Sequence, residues 1–367
     1  MRLGWIELRE YRSYRELRFE PSAGTNILVG DNGAGKTNVL EAIWYLSGLK
    51  SFRRDPDEAL IRDDAAAAVV RGGVERESGE IRVEIEIPRR GRRRVLLNGK
   101  RPHRLGDVAS EVPVVAFLPN DLDLVKRGPA LRRDFLDDLG RQLMPATGAN
   151  LAEYEKALRQ RNALLRASGR AADRLTLDVW DERLSLAGGR VLVDRVRLIR
   201  EIGPLVEAAY ERLGGCDLTL VYEAAWLGAT RPDTLGEGGA GELLRTALVA
   251  RRERDLDQRS TSTGPHRDDM IVTLGRRPVR SQASQGEQRS AALALRLAAY
   301  GSLRRLHGVA PILLLDDVFS ELDAARAAAV RELLPGGQVF VTSARDDEAH
   351  IPGTRWGVGN GKVTYAA

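Results

Sequence analysis

The chain has 367 residues, 43% of them hydrophobic, which is enough for two domains or for one large one. Its 57 basic and 52 acidic residues leave a net charge of +5, a mild indication of a polyanionic partner. The single cysteine excludes internal disulfides and a cysteine-ligated metal cluster, and no apolar run approaches the ~20 residues that span a bilayer. We therefore expect a cytoplasmic protein without a membrane partner.

The first motif in the chain is GDNGAGKTN, residues 30–38, which has the spacing GxxxxGK[ST] of a phosphate-binding loop. An apolar strand pattern precedes it, and an apolar helix pattern that stops near Gly48 follows it. Lys36 would reach the β and γ phosphates of ATP, and the Thr37 hydroxyl would bind Mg²⁺. The predicted nucleotide-binding residues are Gly30, Asp31, Asn32, Gly33, Ala34, Gly35, Lys36, Thr37 and Asn38.

Arginine-rich clusters occur at residues 89–94, 100–104 and 275–280. Each has the pattern of a hairpin or loop edge, and Asn98-Gly99 is a strong signal for a two-residue turn. Such tips can lie along a nucleic-acid backbone. They can equally be solvated surface, since arginine outnumbers lysine throughout the chain.

From about Gly128 to Gly214 the pattern is helical. Leucines and other apolar residues recur at three-four spacing in 151–165 and again in 177–202. The linker of residues 166–174 between them is short, which predicts an antiparallel helical hairpin. A strand pattern at 217–224 and one helix at 241–255 follow. Strand periodicity returns at 268–274.

The second nucleotide motif is PILLLDDVFSELD, residues 311–323, an apolar strand that ends in two carboxylates. Asp316 is placed to bind Mg²⁺, directly or through water, and Asp317 to act as the general base that polarises the attacking water. Ser320 or Asp323 can instead cap the next helix. Lys36 and Asp316 are 280 residues apart, so a large domain must be inserted into the ATPase core.

A third motif, Ser284-Gln285-Gly286-Glu287-Gln288, is similar to the LSGGQ signature of ATP-binding cassette proteins and opens an apolar helix. Its serine hydroxyl, its glycine and the helix N-terminus together form a second γ-phosphate site. In that superfamily the signature faces the phosphate-binding loop of the other subunit. Residues 320–323, SELD, correspond to its D-loop.

These motifs together resemble the RecF family, which is related to the Rad50 and SMC ATPase heads. The resemblance covers residues 8–47, 51–53, 124–137, 260–269, 283–289 and 313–323. It implies an α/β, ABC-type P-loop ATPase head. Lobe I, residues 1–122 and 302–367, would hold a mixed sheet around the P-loop core. Lobe II, residues 123–301, would be an inserted, mainly helical lobe with a short antiparallel arm and the signature.

The resemblance also implies a function in DNA repair and replication. ATP binding would drive head-to-head dimerisation on gapped or double-stranded DNA, including single-strand/double-strand junctions, and slow DNA-dependent ATP hydrolysis would release it. RecR would be a direct partner and RecO an indirect one, in support of RecA loading. By motif matching, Arg12 would lie near the nucleotide, Ser343 at the switch position, and Ser284, Gly286 and Gln288 at the nucleotide through the signature.

Three positions depart from the wider ATPase pattern. No switch histidine is present, Asn120 or Asp121 stands where a Q-loop glutamine is expected, and Asp317 replaces the usual glutamate base. The pattern alone assigns no role to Gly264–Arg267, and His266 in it can be a structural histidine.

Two other classes share some of these motifs. A transporter ATPase subunit would not carry a helical insertion of this size. A Rad50-like nuclease-partner ATPase would need a long coiled coil with a CxxC zinc hook, whereas this chain has one cysteine.

Overall fold

The structure is a computed structural model that describes residues 1–77, 79–320, 323–332, 336–343 and 351–366. Its strands, in chain order, are β1 (Arg2–Tyr11), β2 (Tyr14–Phe19), β3 (Thr25–Val29), β4 (Ala67–Arg76), β5 (Gly79–Pro88), β6 (Arg94–Leu97), β7 (Val114–Phe117), β8 (Leu218–Glu223), β9 (Asp269–Leu274), β10 (Arg277–Pro278), β11 (Ile312–Leu315), β12 (Val339–Ser343), β13 (Thr354–Gly359) and β14 (Lys362–Tyr365).

Its α-helices are α1 (Lys36–Gly48), α2 (Gly106–Glu111), α3 (Leu122–Lys126), α4 (Pro129–Leu143), α5 (Pro145–Ser168), α6 (Arg174–Arg212), α7 (Glu237–Ala250), α8 (Arg252–Gln258), α9 (Val279–Gln282), α10 (Gln285–His307) and α11 (Ala324–Arg331). Two compact units contain these elements. Unit 1 comprises Met1–Leu122, Ala209–Gly215 and Ala292–Ala367, and unit 2 comprises Asp123–Ala208 and Cys216–Ala291.

The first sheet of unit 1 is antiparallel, with strand order β2-β1-β4-β5-β6. Buried and more exposed residues alternate along most of β5, as expected for a sheet with one face on the core. At the end of β6, Asn98 and Gly99 both have positive φ, 52° and 74°, and Leu97 pairs with Lys100. The predicted two-residue turn is confirmed, because this backbone is that of a type I′ hairpin.

The second sheet of unit 1 has the order β14-β13-β3-β12-β11-β7. All of its pairs from β13 to β7 are parallel, and β14 is antiparallel to β13. The central strand β11 is buried along its whole length, which explains its continuous apolar run. Because β3 and β11 are parallel within one sheet, the residues that follow them, Gly30 and Asp316, lie at the same edge.

Unit 2 is mainly helical, with a three-stranded antiparallel sheet in the order β10-β9-β8. Helices α5 and α6 form the predicted antiparallel hairpin. Asn150 near the start of α5 bonds to Asp194 of α6 at 2.9 Å, and Arg161 further along α5 bonds to the earlier Asp181 at 2.6 Å. The core between these helices and α7 contains Leu151, Tyr154, Leu184, Ala187, Val191, Leu244 and Leu248.

One helix was predicted at 241–255, and this was wrong. The segment forms two helices, α7 and α8, that meet at Arg251. Asp255 in α8 is fully buried, and its carboxylate accepts hydrogen bonds from Arg161 at 2.8 Å and from the backbone N–H of Ser262 at 3.0 Å. A buried carboxylate needs such partners, and periodicity along one helix does not record them.

Candidate functional site

The phosphate-binding loop lies between β3 and α1. Gly33 and Gly35 have φ of +84° and +109°, a backbone region that side-chain-bearing residues rarely adopt. A Cβ on Gly35 would lie 2.7 Å from the hydroxyl of Tyr14, and a Cβ on Gly30 would lie 2.3 Å from the carbonyl oxygen of Val358. The positive φ at Gly33 and Gly35 therefore favours glycine at both positions. The close packing around Gly30 and Gly35 leaves no room for a side chain there.

The loop holds a buried cation at the start of a helix. Lys36 is 4% exposed, and its ammonium donates to the carbonyl oxygens of Gly30 at 2.6 Å and Asp31 at 3.1 Å. The first N–H groups of a helix have no partner within it, and their partial positive charge adds to that of the lysine. An anion with several oxygens, such as a triphosphate, fits these donors.

The carboxylate after β11 lies next to this loop. Oδ1 of Asp316 accepts hydrogen bonds from the hydroxyls of Thr37 at 2.9 Å and Thr342 at 2.8 Å. Burial raises the pKa of Asp316, and the hydrogen bonds from Thr342 and Thr37 oppose that shift. Two neighbouring ligands of an octahedral Mg²⁺ lie about 2.9 Å apart, so the Thr37 and Asp316 oxygens fit one ion without rearrangement.

No cluster of three or more His, Cys, Asp or Glu side chains suited to a metal occurs in the described part of the chain. Mg²⁺ does not require one, because it is usually held by one or two protein groups together with waters and phosphate oxygens. The Thr37 and Asp316 oxygens are therefore compatible with a magnesium ion that is held mainly by phosphate oxygens and waters.

Asp317 has a positive φ of 47°, which is uncommon for a residue with a side chain. Its backbone N–H donates to the Thr342 hydroxyl at 2.8 Å, and that hydroxyl in turn donates to Asp316. Thr342 on β12 thus fixes both carboxylate-bearing residues. Ser343, the predicted switch residue, is the next residue of β12 and is also buried. Sequence reasoning missed Thr342, because a threonine inside an apolar strand has no distinguishing pattern.

Arg12, which the family resemblance predicts to lie near the nucleotide, makes several hydrogen bonds to protein groups. Its guanidinium donates twice to Glu41 at 2.9 Å and also to Asp55 at 2.5 Å and the carbonyl of Ala59 at 3.0 Å. An arginine with that many partners braces the turn between β1 and β2 against α1. Its neighbour Ser13 contacts the loop directly, since its hydroxyl accepts from the Asn38 side chain at 3.0 Å.

A second arginine lies closer to the nucleotide loop. The side chain of Arg53 is exposed and donates to the amide oxygen of Asn38 at 3.3 Å, and its charge weakly opposes the rise in the pKa of Asp316 that burial causes. Position 53 can therefore present a cation to a bound phosphate. The segment 51–53 contributed to the family resemblance, but nothing in its pattern assigned a role to this side chain.

The signature motif begins α10 in unit 2. Ser284 and Glu287 form a reciprocal capping box, with bonds of 2.6 Å and 3.2 Å between the side chain of each and the backbone N–H of the other. Gln288 is buried, and its amide donates to the carbonyl oxygens of Val279, Arg280 and Ala283. The amide nitrogen of Gln288 thus holds the turn before the signature, and its predicted contact with nucleotide stays a prediction.

The predicted D-loop and the two Q-loop candidates are the remaining positions. Asp323 accepts a hydrogen bond from the backbone N–H of Arg326 at 3.0 Å and caps α11. Residues 321 and 322 of the predicted D-loop lie outside the described residues. Of the two Q-loop candidates, Asp121 pairs with Arg296 at 2.6 Å and accepts a hydrogen bond from the N–H of Leu118. The side chain of Asn120 is exposed, and none of the described hydrogen bonds involves it.

This fold, with a phosphate-binding loop, a carboxylate strand beside it and an inserted helical unit, defines an ABC-type P-loop ATPase head. The family model of the RecF/RecN/SMC N terminal domain matches residues 2–358. The chain belongs to this family, and its full-length relatives place it among the RecF DNA replication and repair proteins. The RecF protein of Acidothermus cellulolyticus is 40% identical over 372 residues, all of both chains. That of Streptomyces avermitilis is 39% identical over 99% of each.

Solved structures agree with this family. The recombination mediator protein RecF-ATPrS in the RecFOR pathway has a TM-score of 0.91 and 29% identity, with 100% of this chain and 98% of that chain covered. An SMC head bound to the C-terminal winged-helix domain of ScpA has a TM-score of 0.54 and 18% identity over 100% and 97% of the two chains, and it shows the shared fold alone. No described helix combines the length and apolarity needed to cross a bilayer.

Proposed function

We propose that this protein binds ATP with Mg²⁺ at the loop of residues 30–38 and uses it to act on DNA in recombinational gap repair. The observation that supports this best is the 2.9 Å contact between Thr37 and Asp316 beside the buried ammonium of Lys36. RecF-ATP in the RecFOR pathway, a solved structure with a TM-score of 0.89 and 28% identity, supports the choice of nucleotide.

For the chemical step we propose that Thr37 and Asp316 bind Mg²⁺ and that Asp317 orients the attacking water. Ser343 would contact the same water or the γ phosphate. Aspartate is one carbon shorter than the usual glutamate at this position, so its carboxylate reaches less far and slow turnover follows. We therefore propose a weak, DNA-dependent ATPase.

We propose that units 1 and 2 are the two lobes of the head, and that Ser284 and Gly286 of one subunit complete the nucleotide site of another. A serine hydroxyl has a donor as well as acceptor lone pairs, and the capping box holds it at the first turn of α10. ATP would thus join two heads, and hydrolysis would separate them. Arg12 and Gln288 remain proposed residues of the nucleotide site, and their described hydrogen bonds would position the turn before α1 and the turn before the signature.

DNA is the proposed macromolecular ligand, in double-stranded, gapped or junction form. RecR is proposed as a direct partner and RecO as an indirect one, in support of RecA loading. The DNA repair names of the relatives support this assignment, and a cytoplasmic location follows from chromosomal DNA as the ligand. No observation favours a Rad50-like nuclease partner.

The test of the metal site is Thr37→Val, which removes the hydroxyl and keeps the shape of the side chain. Binding of a fluorescent ATP analogue is measured with Mg²⁺ and with EDTA. We expect the variant to bind in EDTA like the wild type and to lose the gain in affinity that Mg²⁺ provides. Thr246→Val, at an exposed threonine of α7, is the matched control. An unchanged Mg²⁺ effect in Thr37→Val would contradict the assignment.

A further inference from the structure

A basic groove of about 830 Å³ lies in unit 1, beside the connection from β5 to β6. Its polar lining residues include Asp57, Arg92, Arg93, Arg94, Arg101 and His103. Four arginines thus face one carboxylate. The groove also has apolar lining from Leu96, Pro102 and Leu105, and Leu105 is 51% exposed. Cationic walls with apolar surface between them suit a nucleic-acid strand, whose backbone is anionic and whose bases are flat and apolar.

The four arginines are not equivalent. Arg92 and Arg101 are exposed and make no ion pair with any residue that the structure describes. Arg94 is paired with Glu86 only at 3.5 Å, and both side chains are largely exposed, so this pair contributes little. These three arginines can therefore contact phosphates without breaking a strong hydrogen bond or ion pair within the protein.

Arg93, in contrast, points into the protein and is only 30% exposed. Its Nη1 donates to the hydroxyl of Tyr45 at 3.0 Å and to the carbonyl oxygen of Leu49, and it lies 3.6 Å from Asp57. The Tyr45 hydroxyl donates to Asp57 at 2.8 Å, which closes a small network. Tyr45 itself is fully buried.

This network holds the C-terminal end of α1, the helix that begins at the phosphate-binding loop. Leu49 is the C-cap residue that follows α1, so Arg93 places a positive charge at the negative end of the helix dipole. The other end of α1 begins at Lys36 in the phosphate-binding loop. A helix of 13 residues is about 20 Å long, and ten of its side chains are buried. It is therefore well packed, and a displacement at one end reaches the other.

A second connection runs through residues 55–59. Asp57 faces the groove, while Asp55 and the carbonyl of Ala59 hold Arg12. Arg12 in turn donates two hydrogen bonds to the fully buried Glu41 in the middle of α1. Within unit 1 the groove is thus joined to the end of α1 by hydrogen bonds, and to its centre by the backbone of residues 55–59 together with the hydrogen bonds of Arg12.

We propose that the groove receives the phosphate backbone of DNA, and that Arg93 and Tyr45 transmit its occupancy along α1 to the nucleotide loop. The inference rests on the proposed function, since it takes ATP at the loop and DNA as ligand. A phosphate beside Arg92 and Arg101 attracts Arg93 and repels Asp57. It therefore weakens the hold of Arg93 on the end of α1, and DNA binding changes the position of the loop that contains Lys36.

Two kinds of variant distinguish the binding of DNA in the groove from the transmission of that binding along α1. Arg92→Gln with Arg101→Gln removes two phosphate contacts at the rim of the groove. Tyr45→Phe removes one buried hydroxyl at the end of α1 and leaves every arginine in place. Arg93→Gln removes the charged partner of the same link. Arg2→Gln, at an exposed arginine of unit 1 outside the groove, is the control for loss of charge.

Affinity for a gapped duplex is measured against salt concentration, and ATP turnover is measured without DNA and at saturating DNA. We expect the rim variant to bind DNA more weakly, with a salt slope lower by about two, one for each lost contact. We expect Tyr45→Phe to keep wild-type DNA affinity and wild-type DNA-free turnover. The stimulation of its turnover by DNA should be lost.

A double variant tests whether Arg93 and Tyr45 act in one link. Arg93→Gln should also lose the stimulation at saturating DNA, and combining it with Tyr45→Phe should add nothing, since both cut one link. Stimulation of Tyr45→Phe and Arg93→Gln by DNA to the wild-type level would overturn the transmission while the DNA groove stands. An unchanged affinity and salt slope in the rim variant would overturn the groove itself. Stimulation by inorganic phosphate at constant ionic strength would show a simple anion site and overturn the DNA assignment.

Discussion

Replacing Asp268 with asparagine is expected to change how the stability of the protein depends on pH. Asp268 precedes β9 and accepts hydrogen bonds from the hydroxyl of Tyr222 and the indole N–H of Trp226, both at 2.9 Å. Burial raises the pKa of Asp268 from 3.8 to about 6, although these hydrogen bonds and the charge of Arg195 oppose the shift. The carboxylate is therefore held in a place that favours its protonated form.

His266, two residues earlier, is shifted in the opposite direction. Its ring nitrogens bond to the hydroxyl of Tyr154 at 2.7 Å and to the carbonyl oxygen of Thr261 at 3.1 Å. Burial lowers the pKa of His266 from 6.5 to about 4. This is a physical account of the Gly264–Arg267 motif, because its polar side chain joins α5 to the segment that leads into β9.

The two shifts have opposite signs in the free energy of unfolding. Between pH 4 and 6.5 the unfolded chain binds a proton at residue 266 that the folded chain does not, so stability rises with pH. Between about pH 4 and 6 the folded chain keeps a proton on Asp268 that the unfolded chain loses, so stability falls as pH rises. Each effect amounts to about 3 kcal/mol over its whole window, and in the wild type they nearly cancel.

Asp268→Asn removes one of the two effects and leaves the other. Urea unfolding followed by circular dichroism at pH 4.5, 5.5 and 6.5 measures the difference in unfolding free energy between variant and wild type. That difference should move in favour of Asp268→Asn by about 2 kcal/mol from the low to the high end of the range. His266→Gln, which keeps one donor and one acceptor, should give the reverse slope. A difference that is independent of pH in both variants would refute the reasoning.

Three further predictions concern the nucleotide. Lys36→Ala should lose a charge-assisted contact worth roughly 1.5–3 kcal/mol and with it ATP-dependent dimerisation, as size-exclusion chromatography would detect; dimers at saturating ATP would contradict this. Asp317→Asn should still bind ATP and dimerise while its turnover falls by about 10²-fold or more, and wild-type hydrolysis would assign Asp317 to a structural role. Ser284→Arg should bind ATP as a monomer, and when it is mixed with Lys36→Ala some heterodimers with one intact site should form; ATP-dependent dimers of Ser284→Arg alone would show that the signature does not act between subunits.

The local features of this protein were determined by the sequence itself. The spacing of Gly30, Gly35 and Lys36 predicted the loop, because backbone conformation at a glycine and the start of a helix depend on adjacent residues. The same holds for the turn at Asn98-Gly99 and for the hairpin of α5 and α6. In each case the information lies within a few turns of chain.

The partners of individual side chains were decided by the tertiary structure. Nothing in the local pattern indicated that Arg12 pairs with Glu41, and Arg93 belongs to an arginine run that suggested solvent or DNA but points at the end of α1. Thr342 joins the site only because β12 lies between β3 and β11 in the sheet. Arginines and threonines are compatible with many surroundings, so local pattern does not choose among them. The order in which distant strands pair does, because it determines which side chains come within hydrogen-bonding distance.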